Sequence, residues 1–249
     1  MTSIQDVIKG KRVLITGANR GLGKAFAEIC IQNGASKIYA AARDPSSING
    51  DQLTPVQMDV TSNKDVDAAA AACGDVDILI NNAGVMLTSP VLAANSLKSL
   101  SQEIDVNVVG MLRVSKAFAP ILARNGGGAI INILSVVSWF VNPANPTYCI
   151  SKNAASAATD ALRMELKSQG TQVVGVYAGL VDTDMGAALS SGPKASTTYR
   201  RGGSVPRHRR EEPSSAHRGA RKIYLGLGSR RSGCFACTDA AAVGQTASR

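Results

Sequence analysis

"KRVLITGANRGLGKAFAEICIQNG" (residues 11–34) sets a short apolar run, a glycine-rich turn and an apolar periodic stretch end to end. "KRVLIT" (11–16) reads as a first β-strand, and "GLGKAFAEICIQNG" (21–34) as the helix that follows, closed by Gly34. Between them, "TGANRGLG" (16–23) spaces its glycines G-x-x-x-G-x-G, rather than the G-x-G-x-x-G of the commonest dinucleotide fingerprint. The physical task is similar: a tight turn, a close backbone approach, and a helix N-terminus that accepts negative phosphate. A plain glycine-rich turn between strand and helix would carry the same letters. The strand–turn–helix context favours phosphate.

The same grammar continues outward. "SKIYAAA" and "TPVQMDV" read as the second and third strands, and "NKDVDAAAAAC" as a helix. "VDILINNAG" is an apolar strand that runs into a polar loop. From Ile104 to Leu122 apolar residues recur at helical spacing, which predicts a long helix with one apolar side. "GAIINIL" is the fifth strand, residues 147–169 a helix, and "TQVVGVY" the sixth strand. Strands alternating with helices predict an α/β fold, a Rossmann-type doubly wound parallel sheet. The connection "RDPSSINGDQL" is short for a crossover helix and predicts one turn at most.

A chain of 249 residues with 45% hydrophobic content is long enough to bury one sizeable core. The N-terminus shows no signal-peptide pattern and leads straight towards a strand, and no apolar run looks long enough to span a bilayer. A cytoplasmic protein with no membrane partner is expected. Five cysteines at irregular spacing argue against a disulfide framework.

The net charge of +9 is unevenly placed. Residues 1–193 carry 15 Lys and Arg against 15 Asp and Glu, while residues 194–249 carry 12 against 3. The sequence therefore divides into a neutral domain, 1–193, and a basic tail, 194–249, with a weak candidate for a last strand at 222–228. The neutral body argues against nucleic acid as a partner. Two readings of the tail stand open: a disordered basic arm, or a coding frame that slipped near residue 195. "CFAC" (Cys234, Cys237) with His208 and His217 invites a zinc site, but eight residues separate the histidines and the spacing is wrong. No metal is expected.

"TYCISK" (147–152) places Tyr148 one helical turn before Lys152, so the two share a face. Y-x-x-x-K is common by chance. Together with the opening motif, "NNAG" (81–84), Asn107 in "DVNVVG" and Ser135, it is not. From about residue 9 to about 190 the chain resembles the classical short-chain dehydrogenase/reductase family. That family's T-G-x-x-x-G-x-G lies at Thr16 to Gly23, its N-N-A-G at Asn81 to Gly84, and its serine at Ser135, with twelve residues between it and Tyr148. Ser138 is the rival serine, but only nine residues separate it from the tyrosine.

The resemblance implies an oxidoreductase in which Asn107, Ser135, Tyr148 and Lys152 are catalytic. Tyr148 is the general acid or base, and the neighbouring ammonium is expected to lower its pKa from the usual value of about 10. Ser135 holds the substrate oxygen, Asn107 a water linked to Lys152, and Lys152 also the nicotinamide ribose. Cofactor contacts are implied at Gly17, Asn19, Arg20, Gly21, Leu22, Gly23, Asp59, Val60, Asn82, Ala83 and Gly84, and, after the sixth strand, at Val181 and Thr183. Ala178 stands where the family usually has proline.

Arg20 in the turn and Arg43 after the second strand favour NADP, whose 2′-phosphate they would meet; Asp44 just beyond leaves NAD as the alternative. Val85, Met86, Trp139, Phe140, Leu180 and Met185 fall in loops that border the substrate in this family, so a hydrophobic ketone or aldehyde, or the matching alcohol, is expected. Trp139 and Phe140 would serve equally as core anchors. A homodimer or homotetramer is implied. The rival readings are a non-catalytic dinucleotide-binding regulatory protein, and a nucleic-acid or acidic-surface binder acting through the tail. The first of these does not need the catalytic positions that are present.

Overall fold

A computed structural model describes residues 4–179. In it a six-stranded, wholly parallel sheet has the order β3-β2-β1-β4-β5-β6. A short helix α1 (Ile4–Ile8) precedes β1 (Arg12–Thr16), where the sequence suggested only a lead-in to the strand. Then follow α2 (Gly21–Gln32), β2 (Lys37–Ala42), a single 3₁₀ turn at Pro45–Ser47, β3 (Thr54–Gln57), α3 (Asn63–Ala72) and β4 (Ile78–Asn81). The second half holds α4 (Ser96–Ile104), α5 (Met111–Arg124), β5 (Ala129–Ser135), α6 (Pro146–Glu165) and β6 (Gln172–Ala178).

β1 pairs with β2 on one side and β4 on the other, so the strand order reverses beside the C-terminal end of β1. Such a switch point opens a crevice in a doubly wound sheet. The central strands read as near-continuous apolar runs because both faces are covered. Val13, Leu14 and Ile15 of β1 are fully buried. Leu14 faces a layer formed with Val66, Val114, Phe118 and Leu122 of α3 and α5, whereas Val13 and Ile15 face Ala27 and Cys30 of α2. Each fully buried Leu, Ile or Phe stabilises the fold by roughly 1.5–3 kcal/mol. At the opposite end of the sheet Asp77 accepts from the Arg12 backbone and from two guanidinium nitrogens at 2.9 Å, tying β1 to β4.

The long helix predicted from Ile104 begins earlier, at Ser96, and is continuous to Arg124 through a π-helical segment at Asp105–Gly110. By length and composition this run of 29 residues could cross a membrane, contrary to the sequence reading, but 44% of its most apolar window is buried against the protein. Its apolar face is a core face. The third strand ends at Gln57 and α6 at Glu165, each short of the residues assigned from sequence.

The expectations placed on Val181 and Thr183, on Leu180 and Met185, and on the whole of 194–249 with its strand at 222–228, its CFAC pair and its histidines lie outside the described residues.

Candidate active site

The turn 17–23 is held from both sides. Gly17 (φ 65°) and Gly21 (φ 54°) occupy the left-handed region that side chains disfavour. At Gly23 a Cβ would stand 2.1 Å from the Gly17 carbonyl oxygen and 2.6 Å from Asn82 Nδ2, so the start of α2 approaches the turn as only glycine allows. Asn82 secures this packing: Nδ2 donates to the carbonyls of Thr16 (2.9 Å) and Gly17 (3.1 Å). The Thr16 hydroxyl accepts from the Asn82 and Ala83 amides, both at 3.0 Å. The N-N-A-G segment therefore braces the glycine turn across the switch point. Arg20, the residue before α2, offers no side-chain cap, so the first-turn amides of a 12-residue helix stay available to an anion.

A cleft of about 1340 Å³ runs from this turn along the C-terminal ends of the strands. It is lined by Gly17, Asn19, Arg20, Gly21 and Leu22 of the turn, by Arg43, Asp59 and Val60 after β2 and β3, and by Asn82, Ala83 and Gly84 after β4. Ser135, Tyr148 and Lys152 line it too. The structure thus gathers into one cleft every implied cofactor and catalytic residue it describes, except Gly23 and Asn107, which sit just behind the wall. The donor set suits a nucleotide with anionic groups: uncapped helix amides beside a close-packed glycine turn, and two arginines.

Sequence reasoning missed several supports. Arg113 of α5 donates to the Val60 carbonyl and to Asn63, and a Cβ on Gly110 would lie 2.8 Å from Val60 Cγ2, so this corner is seated on the long helix. Asp44, the candidate partner for a ribose diol, is turned onto its own loop. Its Oδ1 accepts from the Ser46 hydroxyl and amide, which hold its pKa below the usual carboxylate range.

Farther along the cleft, β5 terminates at Ser135 and α6 presents Tyr148 and Lys152 one turn apart. The Ser135 hydroxyl acts on the Tyr148 phenol and lowers its pKa against the larger effect of burial, while Ser138 is buried and donates to the Lys152 carbonyl at 2.9 Å. Only Ser135 of the two faces the cleft. Burial pushes the Tyr148 phenol up to about 12; Ser135 draws it back, and Glu103 and Cys149 raise it further. This reverses the sequence expectation. Desolvation of the buried phenolate dominates, and Lys152, whose Nζ lies 5.8 Å from the ring centroid, donates to the Ile133 carbonyl at 2.9 Å. Burial likewise lowers Lys152 from 10.5 to about 8.

That lowering has a measurable sign. A lysine whose folded pKa is depressed penalises the fold below about pH 8, and the penalty is relieved as pH rises from about 8 to 10.5. The interval corresponds to about 3 kcal/mol. Lys152→Met should therefore be more stable than the parent at pH 7.5 in urea unfolding, with the advantage shrinking by about 2–3 kcal/mol by pH 10.5. Tyr148, raised to about 12, loses its stabilising contribution only as pH climbs above 10. A stability difference that is flat with pH would refute the assignment of a desolvated lysine.

The Asn107 amide is committed within the protein. Oδ1 accepts from the Val85 amide at 2.8 Å, and Nδ2 donates to the Val85 carbonyl and to the Ser151 hydroxyl, both at 2.9 Å. Val85, Met86 and Phe140 line the cleft as expected. Trp139 does not; about half exposed, it stacks on Tyr177 of β6 with ring centroids 4.3 Å apart.

Against known proteins, the short chain dehydrogenase family matches residues 11–194. The match stops where the alternation of strands and helices fades from the sequence. A 3-oxoacyl-[acyl-carrier-protein] reductase, FabG, of Vibrio harveyi is 30% identical over 199 residues, covering 76% of this chain and 81% of that protein. An uncharacterized oxidoreductase of Staphylococcus epidermidis is 36% identical over 188 residues, covering 72% and 81%. Among solved structures, a short chain dehydrogenase from Burkholderia cenocepacia in complex with NADP superposes with a TM-score of 0.73 at 36% identity, covering 76% of this chain and 80% of that one.

Proposed function

We propose that this chain, which belongs to the short-chain dehydrogenase family of NAD(P)-dependent oxidoreductases, moves a hydride between NADPH and an uncharged hydrophobic carbonyl compound or its alcohol. The single observation that carries the reading is the meeting of Ser135, Tyr148 and Lys152 with the braced glycine turn in one cleft. In this reading the turn amides and helix α2 hold the pyrophosphate. Arg20 and Arg43 hold the 2′-phosphate, Asp59 and Val60 border the adenine, and Lys152 holds the ribose beside the nicotinamide. The bound dinucleotide supplies a hydride.

The protein supplies the proton. With the phenol held up at about 12, Tyr148 is fully protonated at neutral pH, the form an acid needs for carbonyl reduction. It donates its phenolic proton to the substrate oxygen, while the Ser135 hydroxyl steadies the charge growing there. Lys152 then stabilises the phenolate left behind until solvent returns the proton.

Substrate charge follows from the lining. Among the described residues, the cations on the cleft are Arg20, Arg43 and Lys152, and the two arginines belong to the cofactor end. Around Tyr148 stand Val85, Met86, Val137 and Phe140, with Asn142 and Asn145. Lys152 apart, a carboxylate substrate would find no cation there among the described residues. The test is a panel of acetophenone, 2-octanone and 4-nitrobenzaldehyde against pyruvate, followed by NADPH absorbance. Turnover of the neutral compounds with none of pyruvate supports the reading; the reverse order overturns it.

Assembly as a homodimer or homotetramer and residence in the cytoplasm complete the proposal. The exposed apolar side chains of Leu97 on α4 and of Ile150 and Met164 on α6 support self-association.

A further inference from the structure

Behind the catalytic tyrosine lies a carboxylate that the proposed chemistry does not use. Glu103, in the last turn of α4, is wholly buried. Its Oε1 accepts from the Leu87 amide at 2.8 Å, and its Oε2 has no partner among the described residues. An apolar side chain in the same place would avoid that desolvation, so stability alone does not explain a glutamate here.

The segment it grips is a strap along the substrate side of the cleft, tied at alternate residues. Asn107 takes both backbone groups of Val85, Glu103 takes the amide of Leu87, and Thr147 of α6 donates to the Ser89 carbonyl at 3.2 Å. Glu103 and Asn107 lie four residues apart on one helical run, so a single helix face holds two of the three ties. Between the last two ties Thr88 is forced to φ 51°, a left-handed conformation that a β-branched residue adopts only when its surroundings impose it. Met86, just before the Glu103 tie, packs against Val137, Tyr148 and Cys149, receives a contact from Asn145 to its sulfur, and lines the cleft.

We propose that Glu103 is a positioning residue for the substrate: by holding the Leu87 amide it fixes Met86 against Tyr148 and sets the width of the carbonyl pocket. This rests on the carbonyl-reduction reading above. The arrangement explains why a buried carboxylate is kept beside a phenol whose ionisation it opposes. It also separates two duties of the long helix, since Gly110 and Arg113 seat the adenine side while Glu103 seats the substrate side.

The test compares Glu103→Leu, which removes the acceptor, with Glu103→Gln, which keeps an acceptor of the same reach. Two readouts are used: hydrogen exchange of the Leu87 amide in protein without cofactor, and steady-state kinetics with NADPH and the best ketone of the panel. In the leucine variant, Leu87 should exchange at least about tenfold faster, the ketone KM should rise about tenfold, and kcat and the NADPH KM should stay within about threefold. The glutamine variant should stay within about threefold of the parent on every measure. Should the leucine variant fail to fold, Glu103→Asp, which withdraws the acceptor by one methylene, is expected to move both readouts in the same direction.

Unchanged Leu87 exchange, an equal effect in the glutamine variant, or a rise in the NADPH KM matching that of the ketone overturns the proposal. If Leu87 exchange behaves as expected but the parent protein reduces none of the panel, it is the carbonyl reading that fails, and the substrate role falls with it.

Discussion

Tyr148→Phe should bind NADPH within about twofold of the parent and lose about a thousandfold or more in kcat, within the range general acids supply. The ring keeps its packing against Val137, Cys149 and Met86, so the fold and the cofactor end of the cleft are untouched. What disappears is the proton donor. Equal loss in kcat and kcat/KM would mark an interaction made in the transition state. Stopped-flow reduction of 4-nitrobenzaldehyde measures the chemical step directly. A phenylalanine variant with near-parental turnover would remove Tyr148 from the mechanism.

Replacing both Arg20 and Arg43 with glutamine should weaken NADPH by about a hundredfold while moving NADH by no more than about threefold. Each charge-assisted bond to phosphate is worth roughly 1.5–3 kcal/mol. NADH has no phosphate there to lose. Both arginines are exposed and both line the cleft, at the end away from Tyr148. Asp44, which also lines the cleft, accepts from the Ser46 hydroxyl and amide through Oδ1. Titration of cofactor fluorescence decides the matter, and a parent protein that binds NADH more tightly than NADPH would contradict it.

How much of this was legible beforehand differs by residue. The central strands announced themselves because strands buried on both faces are written almost wholly in apolar letters, as in Val13 to Ile15 and Ile78 to Ile80. The glycine turn was readable because its backbone leaves glycine no substitute at Gly17, Gly21 or Gly23. Tyr148 and Lys152 could be placed on one face because one helical turn separates them, whereas Ser135 was singled out by its resemblance to the family pattern.

Partnerships across the chain were not readable. Nothing local to Asn82 says that it braces Thr16, nor does anything near Glu103 point to Leu87. The start of the long helix at Ser96 was missed because "SLKSLSQEI" is polar overall, and its buried residues include Ser96 and Glu103 rather than an apolar stripe. The direction of the Tyr148 shift was misjudged for a related reason. Spacing shows that a lysine is near, but only packing shows that burial dominates. Trp139, weighed both as a substrate wall and as a core anchor, stays about half exposed and stacks on Tyr177, which arrives from β6.

The most direct test of the account mixes the full-length protein with stoichiometric NADPH and excess 4-nitrobenzaldehyde, and follows cofactor and alcohol together in a single turnover. The account predicts that NADPH absorbance falls and alcohol appears one for one, with the burst lost in Tyr148→Phe. Bound NADPH that persists unoxidised beside this aldehyde, acetophenone and 2-octanone alike would contradict it.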